Sequence, residues 1–171
     1  MLSESARMST AREAAFRIDY PNSKPRAIKV IALDDVAAEV VRDTARQQDW
    51  KNATFFTGMT ASWDPKRPWG TPIHASLTDL DGPSRDLAEE IGSANLVVMV
   101  SSPAGNADAA ALIAEICSMK RVMITGLLLT ADTASDAEVA QSLKELRPHA
   151  PMLVISTGDD YVSAMLTALR A

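Results

Sequence analysis

Cysteine is nearly absent from this chain, since Cys117 is the only one among its 171 residues. A single thiol provides neither a disulfide framework nor a cysteine-based metal site. This scarcity is typical of proteins in the reducing cytoplasm, which is the location we expect. Cys117 lies in an apolar, predicted helical run, so the thiol itself is expected to be buried and unreactive.

Clustered positive charge and long apolar runs are lacking as well. The 17 Lys and Arg are outnumbered by 22 Asp and Glu, which gives a formal net charge of -5. Because nucleic-acid binding needs clustered basic residues, this balance argues against it. The longest apolar stretches, near residues 96–100 and 122–129, are too short to span a membrane, and the N-terminus lacks the apolar core of a signal peptide. We therefore expect a soluble protein that is not exported.

Short apolar runs do occur, and they alternate with amphipathic segments. The predicted strands are residues 28–33, 53–57, 95–100, 121–129 and 152–156, with a short edge strand at 73–76. The predicted helices are residues 35–48, 83–92, 107–119, 135–146 and 160–169. Such alternation is typical of an α/β fold with a doubly wound, mostly parallel sheet, and it predicts a three-layer αβα architecture of the Rossmann-like class.

One domain is expected, preceded by an arm. Residues 1–26 contain a weakly helical stretch and two prolines, so they predict a flexible N-terminal arm, and residues 27–171 are assigned to the domain. Residues 58–72 show no periodicity and predict a long irregular loop that carries Trp63 and Trp69. Two exposed tryptophans are costly, so they either pack down as a lid or contact a protein partner or a second copy.

Two carboxylates end the first predicted strand. In open α/β sheets ligands bind beyond the carboxyl ends of the strands, and phosphate binders place glycines there. Asp34 and Asp35 occupy that position. They either cap the following helix or, as hard oxygen ligands, hold a weakly bound Mg²⁺ together with Asp132, Asp159 and Asp160 of the same expected edge.

Other polar residues at this edge are candidates for binding a cofactor or small ligand. They are Ser101, Ser102, Gly105, Asn106 and Thr130. An open pocket among them would favour a ligand, whereas a crevice filled by Asp34 and Pro103 would favour a protein-binding module. No catalytic residue is assigned, because His74 and His149 lack the spacing of a metal or catalytic motif.

Three stretches resemble the GTP-binding half of FtsZ, the bacterial tubulin homologue. They are residues 28–31 with the next helix and residues 53–56; residues 94–100 with Gly105 and residues 109–116; and residues 139–146 with residues 153–155 and 159–160. The resemblance covers most of residues 28–160. It implies a nucleotide-binding fold in which GTP would sit on glycine-rich turns.

The chain departs from the FtsZ pattern where the phosphates would bind. Asp34-Asp35 stands in place of the first glycine-rich turn, and Gly105 is the one glycine of the central loop, which also contains Pro103. A proline has no N–H, and neighbouring side chains hinder the approach of the backbone to a triphosphate. We therefore expect a degenerate, non-catalytic relative that acts as a binding or regulatory module through protein contact, with GTP hydrolysis disfavoured.

A weaker resemblance is to response-regulator receiver domains. Residues 29–35 are similar to the first strand and acidic pair of that family, where the carboxylates hold Mg²⁺ near a phosphorylated aspartate. The acceptor position holds Val100 or Ser101, and no lysine ends the strand 152–156, so phosphotransfer is disfavoured. Two alternatives stay open: a nucleotide- or small-ligand-dependent enzyme acting at the carboxyl edge of the sheet, and a pseudo-receiver signalling domain.

Overall fold

The computed structural model describes residues 25–62, 74–103, 105, 108–130, 134–157 and 160–171. Residues 1–24 of the expected arm lie outside these ranges, as do Trp63, Trp69, Asn106, Asp132 and Asp159. The described strands are β1 (Ile28–Ala32), β2 (Ala53–Ser62), β3 (His74–Asp79), β4 (Ser84–Asp86), β5 (Leu96–Ser101), β6 (Met123–Leu129) and β7 (Met152–Ser156). The described helices are α1 (Asp35–Gln47), α2 (Leu87–Gly92), α3 (Asp108–Lys120), α4 (Asp136–Leu146) and α5 (Asp160–Ala168).

These strands form one sheet in the order β4-β3-β2-β1-β5-β6-β7. Five neighbouring strands, β2, β1, β5, β6 and β7, run parallel to one another. β3 is antiparallel to β2, and β4 is antiparallel to β3. The prediction of an α/β fold with a doubly wound, mostly parallel sheet is confirmed. Strand 152–156 has its predicted bounds, and most other elements shift by one or two residues.

Helices cover both faces of the sheet, because successive residues of the central strands point to opposite sides and most of them are apolar. Ile28 and Val30 belong to a cluster that includes residues of α1 and α5. Ile31 and Met99 belong to the other described cluster, which includes residues of α2, α3 and α4. Complete burial of one such side chain stabilises the fold by about 1.5–3 kcal/mol, so the two clusters hold the three layers together.

The prediction of an irregular loop from residue 58 is wrong over its first residues. β2 continues to Ser62 and pairs with β3 in an antiparallel hairpin, after a register shift between Phe56 and Gly58. The prediction failed because Met59 and Ala61 are the only apolar residues of a weak alternation over residues 58–62, and their partial burial depends on the pairing with β3. β3 is also not the predicted edge strand, since β4 lies outside it.

The predicted helix 83–92 begins later than expected. Residues 84–86 pair with β3 as the short strand β4, and α2 starts at Leu87. The Asp86 carboxylate accepts a hydrogen bond from the Glu89 N–H at 2.8 Å and so caps the helix. None of the helices in the described part of the chain is long and apolar enough to cross a lipid bilayer.

Candidate functional site

The carboxyl ends of β1 and β5 lie side by side at the point where the sheet order reverses direction. From β1 the chain first proceeds to β2 on one side and later to β5 on the other. In doubly wound sheets the crevice at this switch point is the usual place for a ligand. Asp34 follows β1 here, and Ser101 and Ser102 end and follow β5.

The carboxylate of Asp34 is held by the protein itself. Its Oδ1 accepts hydrogen bonds from the Ala37 N–H at 2.9 Å and the Ser102 hydroxyl at 2.9 Å, and its Oδ2 accepts one from the Ser102 N–H at 2.7 Å. The Ser101 hydroxyl lies 3.2 Å from Oδ2 and 3.1 Å from the Ser102 carbonyl oxygen, and its one proton can serve either. A carboxylate has about four acceptor sites, so these donors use nearly all of its capacity.

Asp34 therefore has two structural roles at once. The bond from Ala37 caps the N-terminus of α1, where a carboxylate also complements the helix dipole. The bonds from Ser102 clasp the loop after β5 to the loop after β1. Ser101 is 2% exposed and Ser102 8% exposed, so the serine side of this clasp is shielded from water, whereas Asp34 is half-buried. Hydrogen bonds to a charged group contribute more than neutral ones under these conditions.

Gly105 packs directly against this carboxylate. A Cβ atom at this position would overlap Asp34 Oδ2, would lie 2.7 Å from the Ser101 hydroxyl oxygen and would lie 3.0 Å from the Ser102 carbonyl oxygen. The Gly105 N–H also donates to that carbonyl at 3.1 Å. The lack of a side chain at this glycine thus makes room for Asp34, and the Asp34 side chain occupies the space between the two loops.

Three of the predicted ligand-binding residues, Ser101, Ser102 and Gly105, are brought together around Asp34. Thr130 makes a different contact, because its hydroxyl and its N–H both donate to the Ser156 carbonyl oxygen, at 3.2 and 2.7 Å. It thereby joins the ends of β6 and β7. Asn106 lies outside the described residues, and Pro103 is half-buried in the turn after β5.

Within the described residues, no further metal-ligating side chains join the predicted Mg²⁺ ligands Asp34 and Asp35 to form a site. Asp35 is exposed in the first turn of α1, and Asp34 already accepts hydrogen bonds from the protein. Within the described ranges, His, Cys, Asp and Glu side chains form no group of three that could hold a metal ion. Since Asp132 and Asp159 fall outside those ranges, the Mg²⁺ site stays a prediction.

A network of four charged residues was not found from the sequence. Lys29, only 9% exposed, places its Nζ 2.6 Å from Glu90 Oε2 and 3.3 Å from the Thr54 hydroxyl oxygen. Arg85 lies 3.3 Å from Glu90 Oε1 and 2.6 Å from Asp79 Oδ2. The signal was a lysine inside the apolar run of β1. The network joins β1 to α2 and to the β3–β4 pair, so it is structural.

Two pKa shifts follow from this network. Burial opposes the charged form of Glu90, but the hydrogen bonds and charges of Lys29 and Arg85 outweigh it, so the pKa of Glu90 lies below its ordinary value. The hydrogen bond to Glu90 and the charge of Asp79 raise the pKa of Arg85. Both shifts favour the charged forms, which keeps the ion pairs formed at neutral pH.

Cys117 lies elsewhere, in α3, and is 1% exposed. Burial raises the pKa of its thiol to about 12. The thiolate is the reactive form, so a thiol that stays protonated and shielded is a poor nucleophile. The expectation of a buried cysteine is confirmed, and the side chain packs in the same apolar cluster as Ile113 and Ile116.

The Asp34 clasp is thus the main feature of the switch point among the described residues. No protein-family model matches the sequence, and no curated protein matches it either.

Proposed function

We propose that this chain is a non-catalytic binding or regulatory module, which uses a fold of the nucleotide-binding type without holding a nucleotide at the switch point. One observation carries the proposal: the Asp34 carboxylate lies between the loops after β1 and β5 and is held there by Ala37, Ser101 and Ser102. A ligand at this edge has to displace a side chain that the fold itself uses.

Electrostatics oppose a phosphate at the same place. Two unit charges 4 Å apart interact by roughly 4 kcal/mol at an effective dielectric of about 20. This corresponds to about three powers of ten in a dissociation constant. Moving Asp34 aside removes the cap of α1, which costs about 1 kcal/mol more. An enzyme that binds a nucleotide at this edge meets the same obstacle.

The resemblance to FtsZ fits a degenerate relative that keeps the sheet and has lost the nucleotide chemistry. Asp34-Asp35 stands where that family has a glycine-rich turn. Gly105, the one glycine of the loop after β5, packs against Asp34, so its lack of a side chain serves the carboxylate instead of a phosphate. These substitutions support the loss of GTP hydrolysis.

The β2–β3 hairpin supports a role in protein contact. The last residue of β2 that pairs with β1 is Phe56, and residues 57–62 continue beyond it. At about 3.3 Å per residue this extension measures roughly 20 Å. Residues 63–73 stand between β2 and β3 in the sequence and include Trp63 and Trp69. Interface energy concentrates on such aromatic residues, so we place the surface for a partner or a second copy there.

Calorimetric titration of the full chain with GTP and with ATP, each with Mg²⁺, tests the closed crevice. We expect no binding of either nucleotide at high micromolar concentration. The variant Asp35→Asn is the control, because it removes the neighbouring exposed charge and leaves the clasp intact; it should not bind either. A dissociation constant in the low micromolar range for wild type would refute the proposal.

The double variant Trp63→Ala, Trp69→Ala tests the contact surface. We expect sedimentation to show loss of the oligomer or of the partner complex, with an unchanged melting temperature. Trp50→Phe is the matched control: Trp50 is half-buried, donates to the Thr44 carbonyl oxygen at 2.9 Å and packs near Phe55, so this variant should lose stability and keep its assembly. If the double variant behaves like the control, Trp63 and Trp69 belong to a lid over their own sheet.

A further inference from the structure

A cavity of about 710 Å³ opens beside the first residues of β6 and β7. None of the described residues that surround Asp34 lines it. One wall is formed by Cys117 and Ser118 of α3, another by Met165 of α5 and Leu169 just after it, and the strands contribute Met123 and Met152. Binding sites for small molecules commonly measure about 300–1,000 Å³ and are mostly apolar, so both the size and the lining of this cavity fit a small ligand.

The walls of the cavity can adapt to the shape of a ligand. Three of the described lining residues are methionines, Met123, Met152 and Met165. Met123 is 52% exposed and Met152 is 63% exposed, so two of the three border the solvent. Methionine is unbranched and polarizable, and it is common where a surface has to repack around different apolar partners.

The charge of the lining points to an anion. None of the described lining residues is acidic, although the chain has 22 Asp and Glu against 17 Lys and Arg. Two lining residues, Arg26 and His149, have basic side chains. Among the described residues no carboxylate forms an ion pair with Arg26, whose guanidinium has five N–H donors.

We propose that this cavity binds a small apolar monocarboxylate, with the hydrocarbon part among the methionines and the carboxylate at Arg26. A planar guanidinium matches a carboxylate with two parallel hydrogen bonds. The apolar walls remove the hydrocarbon from water, which stabilises the complex by about 0.8 kcal/mol per CH₂ group. The assignment does not depend on what happens at Asp34.

Titration calorimetry of the full chain with decanoate, decan-1-ol and decylamine tests the ligand class. We expect decanoate to bind at least tenfold more tightly than either the alcohol or the amine, because a charge-assisted hydrogen bond contributes about that much. Equal affinity for the acid and the alcohol would overturn the assignment of Arg26. Absence of decanoate binding up to its solubility limit would overturn the site as a whole.

Three variants locate the binding. Arg26→Gln should weaken decanoate at least about tenfold and leave decan-1-ol unchanged. Met152→Glu places a carboxylate at an exposed position of the cavity lining, whose described residues include no acidic side chain. It should therefore weaken the binding of decanoate while the fold is retained. Arg46→Gln is the matched control, since Arg46 is an exposed arginine of α1 whose ion pair with Asp43 measures 3.7 Å; it should leave the affinity unchanged. Unchanged decanoate affinity in both cavity variants would overturn the proposal.

Sedimentation of the same variants identifies another occupant if there is one. The proposal would be overturned if the wild type is a dimer that does not bind decanoate and that the Met152→Glu substitution dissociates. This result would assign the cavity to a second copy of the chain. A protein whose oligomeric state is the same with and without decanoate, and which binds decanoate through Arg26, supports it.

Discussion

Replacement of Asp34 by alanine should destabilise the protein far more than a surface carboxylate normally would. The α1 helix loses its cap, at about 1 kcal/mol. The N–H of Ser102 loses its acceptor in a nearly buried place, at about 1–3 kcal/mol, while the Ser101 hydroxyl can turn to the Ser102 carbonyl oxygen at little cost. The sum is about 3 kcal/mol, which for a chain of this size lowers the melting temperature by about 6–12 °C.

Urea denaturation followed by circular dichroism measures this loss directly. Asp35→Ala is the control, because its carboxylate is exposed and complements the dipole of the first turn at about 0.3–1 kcal/mol. Asp34→Asn should fall between the two, since asparagine caps a helix as well as aspartate does but offers one acceptor oxygen. If Asp34→Ala and Asp35→Ala lose the same free energy of unfolding, Asp34 does not clasp the two loops.

Other perturbations address the charged network, the glycine at the crevice and the buried thiol. Glu90→Gln leaves Lys29 buried without its anionic partner and should cost about 3 kcal/mol by urea denaturation. Lys29→Met should cost less, because Glu90 keeps its ion pair with Arg85. The folded-state pKa of Glu90 lies below its ordinary value, because its two basic partners outweigh the effect of burial; wild type should therefore lose stability as the pH falls from the ordinary carboxylate pKa through this lowered one. A Glu90→Gln variant with the same acid sensitivity would contradict this. Gly105→Ala should cost about 1–3 kcal/mol, whereas Gly92→Ala, whose new Cβ lies 3.9 Å from its nearest neighbour, should be neutral or stabilising; equal melting temperatures would exclude tight packing at Gly105. Cys117 should react with a thiol reagent only upon unfolding, because its pKa is raised to about 12 by burial, and fast labelling of the native protein would show an open thiol.

The elements that could be predicted from the sequence are those whose signal is local. The mostly apolar β1, the valine-rich β5 and the strand Met152–Ser156 are buried on both faces or flanked by turns, so composition and length identify them. β4 could not be predicted, because its residues Ser84–Asp86 are exposed and polar and are strand only through pairing with β3. The same dependence on pairing with β3 hid the end of β2.

The candidate site was predicted in its location, and the cap that Asp34 gives to α1 was one of the two predicted roles of this residue, but the contacts between the two loops were not predicted. The sequence indicates that Asp34, Ser101, Ser102 and Gly105 lie at one edge, because each follows or ends a parallel strand. It does not indicate that the carboxylate turns inward to Ser102, since that choice depends on the distance between two loops. Thr130 follows a strand of the same sheet and yet bonds to Ser156, which shows that a shared edge does not imply a shared site.

Asp34 also connects two length scales of the chain, with a consequence for how the protein folds. Its bond with Ala37 spans three residues, whereas its bonds with Ser102 span 68. Local helical contacts form within microseconds, but contacts between distant residues must first overcome the entropy of closing a long loop. The cap is therefore available to the chain before β5 has reached β1, and the clasp is added when the two strands pair. Asp34 thus stabilises first a local helix and then the pairing of the two halves of the sheet.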